Sequence, residues 1–188
     1  MDSSFIYRKD LMDSFINQNP IVIKDLNLPE ISWQRILDIF DEDSRLNKLK
    51  SKNSYGPFGF RMHHATRISE IDELTNELNK IFLPSKVFKN DPIESQHLYM
   101  SLSTDPSSYG DVHYDGENVI FWQLCGKSRW TVFDKTSKEP ELVAELEPGD
   151  LLFCPQYRHH KVEAITPRCG ASLGFGKLKS TEELQNVN

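Results

Sequence analysis

From Gln96 to Phe175 the chain is a succession of short strand-like runs separated by turn residues, and this texture restricts the fold more than any other feature. His97 to Ser103, Val119 to Cys125, Ser128 to Phe133, Leu151 to Cys154, Lys161 to Ile165 and Ala171 to Phe175 are rich in aromatic and β-branched residues. Such side chains fit a pleated, half-buried surface, so each run predicts a strand. Gly126, the polar stretch Lys135 to Glu139, Pro148-Gly149-Asp150 and Pro167 punctuate them as turns. Many short strands with such turns imply a sandwich or a barrel, the jelly roll among them. Periodicity does not choose between these solutions.

The first part of the chain reads differently. Trp33, Ile36, Leu37 and Phe40 recur at helical spacing, and so do Ile71, Leu74, Leu78 and Ile81. Ser69 is placed to cap the second helix and Pro84 to stop it. Ile21 to Ile23 is a short apolar run that predicts a strand. With 188 residues, 38% hydrophobic and 27% charged, the chain suits one domain over residues 1–188. That domain divides into a helical N-terminal part, about 1–95, and a β core, about 96–178.

Charge and cysteine usage narrow the setting. The net charge of −6 repels phosphate backbones, so no nucleic-acid partner is expected. No apolar run reaches the length of about 18 residues that a membrane helix needs, and no membrane association is expected. Met1 to Asp10 carries charges where a signal peptide needs an apolar centre. Cys125, Cys154 and Cys169 are odd in number and widely spaced, which fits buried thiols in a reducing compartment. A cytoplasmic location is the expectation.

Chemistry concentrates around His113-Tyr114-Asp115. In an extended chain alternate side chains share a face, so His113 and Asp115 project together while Tyr114 points away. One imidazole and one carboxylate are two members of the 2-His-1-carboxylate triad that leaves positions open on Fe(II). The third ligand must come from another strand. Pro148 to Pro155 reads as a turn, a buried strand and a stop, with His159 and His160 directly after it. Strand parity admits only one of these two neighbours, and on the residues alone they stand even.

A resemblance separates them. The stretch from His113 to Phe175 resembles the JmjC-type cupin oxygenases, particularly the ribosomal-oxygenase and asparaginyl-hydroxylase branches. Similar proteins follow HxD with an apolar strand ending in Gln and Gly, then a basic residue and Trp, here Phe121-Trp122-Gln123-Leu124-Cys125-Gly126-Lys127-Ser128-Arg129-Trp130. They then carry a Pro-Gly-Asp turn, a strand and a Pro, with the distal His five positions later, which from Pro155 is His160. Ser172-Leu173-Gly174-Phe175 matches the final motif. The resemblance implies a mainly β, double-stranded β-helix (cupin or jelly roll) with N-terminal helices packed on it, and His113, Asp115 and His160 as ligands to Fe(II). It further implies 2-oxoglutarate as co-substrate and hydroxylation of an amino-acid side chain, in a peptide or protein rather than a free amino acid. The chain ends soon after the last motif strand, so the C-terminal dimerisation domain of larger relatives is not expected, and the oligomeric state stays open.

One position departs from the pattern. Relatives place Lys or Arg two residues after the glycine that matches Gly126, to hold the far carboxylate of 2-oxoglutarate, and here that position is Ser128. Tyr99 matches a family tyrosine that donates to this carboxylate, and Ser128 offers a hydroxyl. Arg168 shares the parity of Ser172 and offers a relocated cation, while Lys127 turns inward only if the register slips by one. The alternative from another class is a metal-binding cupin with non-oxidative small-molecule chemistry or a ligand-sensing role. The segment Asn53 to His64, mixing glycine and aromatics with Arg61, reads as a loop over the pocket, and His63 and His64 as its rim.

Overall fold

The structure, a computed structural model, describes residues 8–26, 28–45, 59–63, 65–82, 92–93, 95–105, 111–136 and 139–176. Its helices are α1 (Lys9–Asn17), α2 (Trp33–Arg45) and α3 (Ser69–Phe82). The strands are β1 (Ile21–Ile23), β2 (Gly59–Met62), β3 (Ser95–Ser101), β4 (Asn118–Cys125) and β5 (Ser128–Phe133). They continue with β6 (Pro140–Leu146), β7 (Leu151–Cys154), β8 (His160–Ala164) and β9 (Arg168–Phe175). A six-stranded sheet runs in the order β1-β7-β4-β9-β3-β2 and a three-stranded sheet in the order β6-β5-β8, with all pairings antiparallel. This is the expected mainly β, double-stranded β-helix with helices packed on it.

The large sheet is buried on both faces, which explains why β4 is buried at every position instead of alternating with exposed ones. One set of side chains, including Met100, Trp122, Phe153, Leu173 and Phe175, meets the helices. Phe15 of α1, fully buried, sets its ring edge against Phe153 at 4.7 Å and Phe175 at 5.9 Å. Burial of one such ring contributes about 1.5–3 kcal/mol. The opposite set, Val119, Phe121, Leu152 and Cys154, packs on Trp130, Val132 and Leu146 of the small sheet. Period-two alternation thus divides each inner strand between a helical core and a jelly-roll interior.

Some elements differ from the sequence expectation. Helix α1 is too short for periodicity alone to mark it, yet Leu11 and Phe15, four apart, anchor it. In α2 Leu37 is 40% exposed and Ile39 takes its place in the core, a rotation of the apolar stripe by a fraction of a turn. Ser69 opens α3, and its hydroxyl donates to Glu70 Oε2 at 3.0 Å. Gly59–Met62, expected in a loop, is the edge strand β2, registered on β3 through Arg61 and Tyr99. Pro140–Leu146 is also an edge strand, whose proline and glutamates mask its alternation. The N-terminal part therefore supplies β1 and β2 to the large sheet as well as the helices. Pro84, His64 and residues 53–58 lie outside the described residues. Among the described residues no helix is long and apolar enough to cross a membrane.

Candidate metal centre

The segment before β4 and the start of β8 are tied by an isolated antiparallel bridge. His113 N–H donates to the His160 carbonyl at 3.1 Å, and His160 N–H to the His113 carbonyl at 2.7 Å. Tyr157 N–H donates to the Asp115 carbonyl at 2.8 Å and fixes the same hairpin-like corner from the other side. These bonds bring one donor atom each from His113, Asp115 and His160 within 4.8 Å of one another. His159 points the other way, exposed, with its ring edge on Tyr114 at 5.2 Å. Between the two neighbours, the structure brings His160 to the cluster.

Both imidazoles are held in one tautomer. His113 Nδ1 lies 2.8 Å from the Asp111 carbonyl, and His160 Nδ1 lies 3.0 Å from the Arg158 carbonyl. A carbonyl only accepts, so each Nδ1 carries the proton and each Nε2 keeps a lone pair. Burial, and after it the neighbouring His113, hold His160 below its ordinary protonation range, so its ring is neutral at physiological pH. Trp130 stacks on this ring at 5.3 Å and 22°. The carboxylate of Asp115 is 42% exposed and its Oδ2 lies 3.5 Å from His160 Nε2. Two imidazoles that turn Nε2 toward the cluster and one carboxylate form a donor set that fits a divalent iron and leaves coordination positions open.

Arg158 holds the corner in place, and no sequence signal marked it. Only 6% of its side chain is exposed, and it pairs with Glu141 of β6. It also donates to the Phe133 carbonyl at 3.4 Å and to that of Gln18, the left-handed cap of α1, at 3.4 Å. Its own carbonyl accepts from His160, so the pairing locks the backbone that orients the distal histidine.

The triad opens into a pocket walled by Tyr99, Phe121, Trp130, Val162, Arg168 and Ser172. Phe121 lies across Gly170, where an added Cβ would meet the ring at 2.0 Å, and the Arg168 guanidinium sits 6.0 Å over this ring. Tyr99 and Arg168 therefore share a pocket with the triad. The other two residues considered for the co-substrate do not line it. Ser128 is fully buried and donates to Gln123 Oε1 at 2.6 Å, while Gln123 Nε2 donates to the carbonyls of Cys125 and Cys169. Its hydroxyl is committed to an internal network. Lys127 lies exposed in the turn before β5 and pairs with Glu147 at 2.6 Å, as Arg129 of β5 does with Glu145.

The sequence alone puts His97 in a strand and Arg61 in a loop. In the fold they face the interior beside Tyr99. Arg61 Nη2 donates to His97 Nε2 at 2.6 Å, and its guanidinium lies 5.9 Å from the Tyr99 ring. His97, half-buried, is depressed to about 4 by burial first, then by Arg61 and His63.

The family model of the JmjC domain matches residues 79–184. The fold is similar to the ribosomal oxygenase YcfD of Escherichia coli. Its structure in complex with cobalt and 2-oxoglutarate aligns with a TM-score of 0.65 at 19% identity, over 94% of this chain and 53% of that one. The structure with cobalt and succinic acid gives 0.61 at 22% identity, over 94% and 52%. The chain thus spans about half the length of these structures. No curated protein matches it in sequence.

Proposed function

The chain belongs to the JmjC domain family, and on that premise we propose that it is an Fe(II)- and 2-oxoglutarate-dependent oxygenase that hydroxylates an amino-acid side chain in a peptide or protein. The observation that carries this reading is the triad itself. Its two imidazoles are locked with Nε2 lone pairs beside the Asp115 carboxylate, at the head of a pocket with a cation in its wall. The cobalt complexes of YcfD with 2-oxoglutarate and succinic acid support the choice of metal and co-substrate.

Bound iron with 2-oxoglutarate supplies the oxidation: O2 and the 2-oxo acid give succinate and CO2, one oxygen atom enters succinate and the other the substrate C–H bond. The protein binds and orients. His113, Asp115 and His160 hold the metal on one side, and Trp130 stacks against His160 to fix its ring plane. Tyr99 and Arg168 take the far carboxylate of the co-substrate, since a buried carboxylate requires donors and a counter-charge. Arg168 thereby replaces the cation that relatives carry at the position of Ser128. Phe121, Trp130 and Val162 exclude water from the reacting end.

Fe(II)-dependent succinate formation from 2-oxoglutarate is the first test. Mass spectrometry for one added oxygen on peptides, host-lysate proteins and free amino acids is the second. Succinate formation with an oxygen added to a polypeptide is expected. Oxidation of a free amino acid alone would move the substrate assignment. Iron binding without succinate formation would favour a non-oxidative cupin.

A further inference from the structure

The interior of the large sheet carries one cation that the proposed reaction does not use. Arg61 faces inward from β2, directly opposite Tyr99 in the β2–β3 register. Its Nε is buried and hydrogen-bonds nothing. Its Nη2 reaches a neutral imidazole, His97, which accepts but brings no negative charge. Among the described residues no carboxylate lies within ion-pair distance of it, whereas Arg158, also turned inward, has Glu141. Arg61 is partly buried, and a guanidinium held partly out of water without a counter-charge is poised for an anion. Gly59 and Phe60, the residues preceding Arg61 on β2, line the same pocket as Tyr99. Arg61 is not itself a lining residue, but its guanidinium lies 5.9 Å from the ring of Tyr99, which is.

Counting charges decides which anion. The metal's two positive charges are offset by Asp115 and by the keto-acid carboxylate of 2-oxoglutarate. The far carboxylate is offset by Arg168. The positive charge of Arg61 is then left over, and only a further anion balances it. We propose that Arg61 is a second carboxylate-binding residue of this pocket, set to receive a carboxylate on the substrate that is oxidised. A planar guanidinium with a free Nε–H matches a carboxylate edge, and His97 holds its far end in orientation. The assignment of the first carboxylate to Arg168 rests on the proposed function. The favoured polypeptide substrate then carries an acidic side chain or a chain terminus near the oxidised residue.

The test uses the full chain loaded with Zn(II), labelled with nitrogen-15 and saturated with 2-oxoglutarate. N-acetyl-glutamate N-methylamide is titrated against its glutamine counterpart, which has the same shape without the charge. The Nε–H resonance of Arg61, identified by its loss in R61Q and R61K, should shift saturably with the glutamate probe. Affinity should exceed that of the glutamine probe by about ten-fold or more, as a charge-assisted contact provides. The preference should vanish in R61Q and persist in part in R61K, which keeps the charge without the fork. 2-Oxoglutarate binding separates the two arginines: R168Q should weaken it by about ten-fold or more and R61Q by less. Equal affinity for the two probes, binding of neither, or a loss of 2-oxoglutarate affinity in R61Q as steep as in R168Q would overturn the assignment. If the wild type does not bind 2-oxoglutarate at all, the proposed function fails. The probe preference measured with Zn(II) alone then still decides the role of Arg61.

Discussion

Replacing Gly170 by alanine should damage the pocket from behind its wall. The added Cβ would lie 2.0 Å from Phe121 Cζ, whereas an ordinary contact begins near 3.4 Å. The ring would have to retreat by about 1.4 Å, the difference of those distances. Trp130 lies 4.8 Å from the Phe121 ring centre, so the retreat forces an off-rotamer side chain or a shift of β5. Overpacking of this kind costs about 1–3 kcal/mol. For a chain of this size each kcal/mol lowers Tm by roughly 2–4 °C. A fall of about 2–12 °C is therefore expected in G170A, read by thermal and urea unfolding. The cause can be isolated by a double-mutant cycle with F121L, whose shorter side chain leaves room for the new methyl group. In that background G170A should cost about 1 kcal/mol less than in the wild type, because the two residues touch. An identical cost in both backgrounds would refute the reasoning and point to backbone strain at Gly170 itself.

Other outcomes follow from the same geometry. Iron affinity should collapse in H160A and survive in H159A, by calorimetry with Fe(II) under anaerobic conditions; the reverse would exchange the two neighbours. R168A should raise the 2-oxoglutarate KM more than it lowers kcat, because the contact is made in the ground state, and steady-state succinate assays separate the two. His97 titrates near 4 in the fold against an ordinary value of 6.5, so the unfolded chain binds more protons between those values. Stability is therefore full above pH 6.5 and falls as pH drops toward 4, by about 1–2 kcal/mol once solvent screening of a half-buried ring is counted. Urea midpoints in H97Q should show a shallower fall over that window. Truncating Glu141 to alanine leaves Arg158 buried without its partner and should cost about 3–5 kcal/mol, measured by urea unfolding.

The parts of the fold legible in the sequence are those where one force acts alone. The inner strands of the β core are continuous apolar runs because both faces of the large sheet are covered, and composition suffices to find them. The edge strands β2 and β6 are harder, since each has one pairing side and carries Arg61 or glutamates that read as loop. At the centre, the parity of His113 and Asp115 follows from strand geometry, but the separation of His160 from His159 required the motif spacing. Ser128 and Lys127 show the limit of local reading. Which partner a hydroxyl or ammonium meets depends on Gln123 and Glu147, five and twenty residues away, brought near only by the sheet. The cation of Arg61 is invisible for the same reason, because its neighbour His97 lies thirty-six residues on.

The most direct measurement is an anaerobic titration of the Fe(II)-loaded protein with 2-oxoglutarate, watched in the visible range. A chelate formed at His113, Asp115 and His160 should give a charge-transfer band that saturates at one equivalent per chain, is absent in D115A and H160A, and requires a higher concentration of co-substrate in R168A. Tight iron binding with no such band at any concentration would contradict the account.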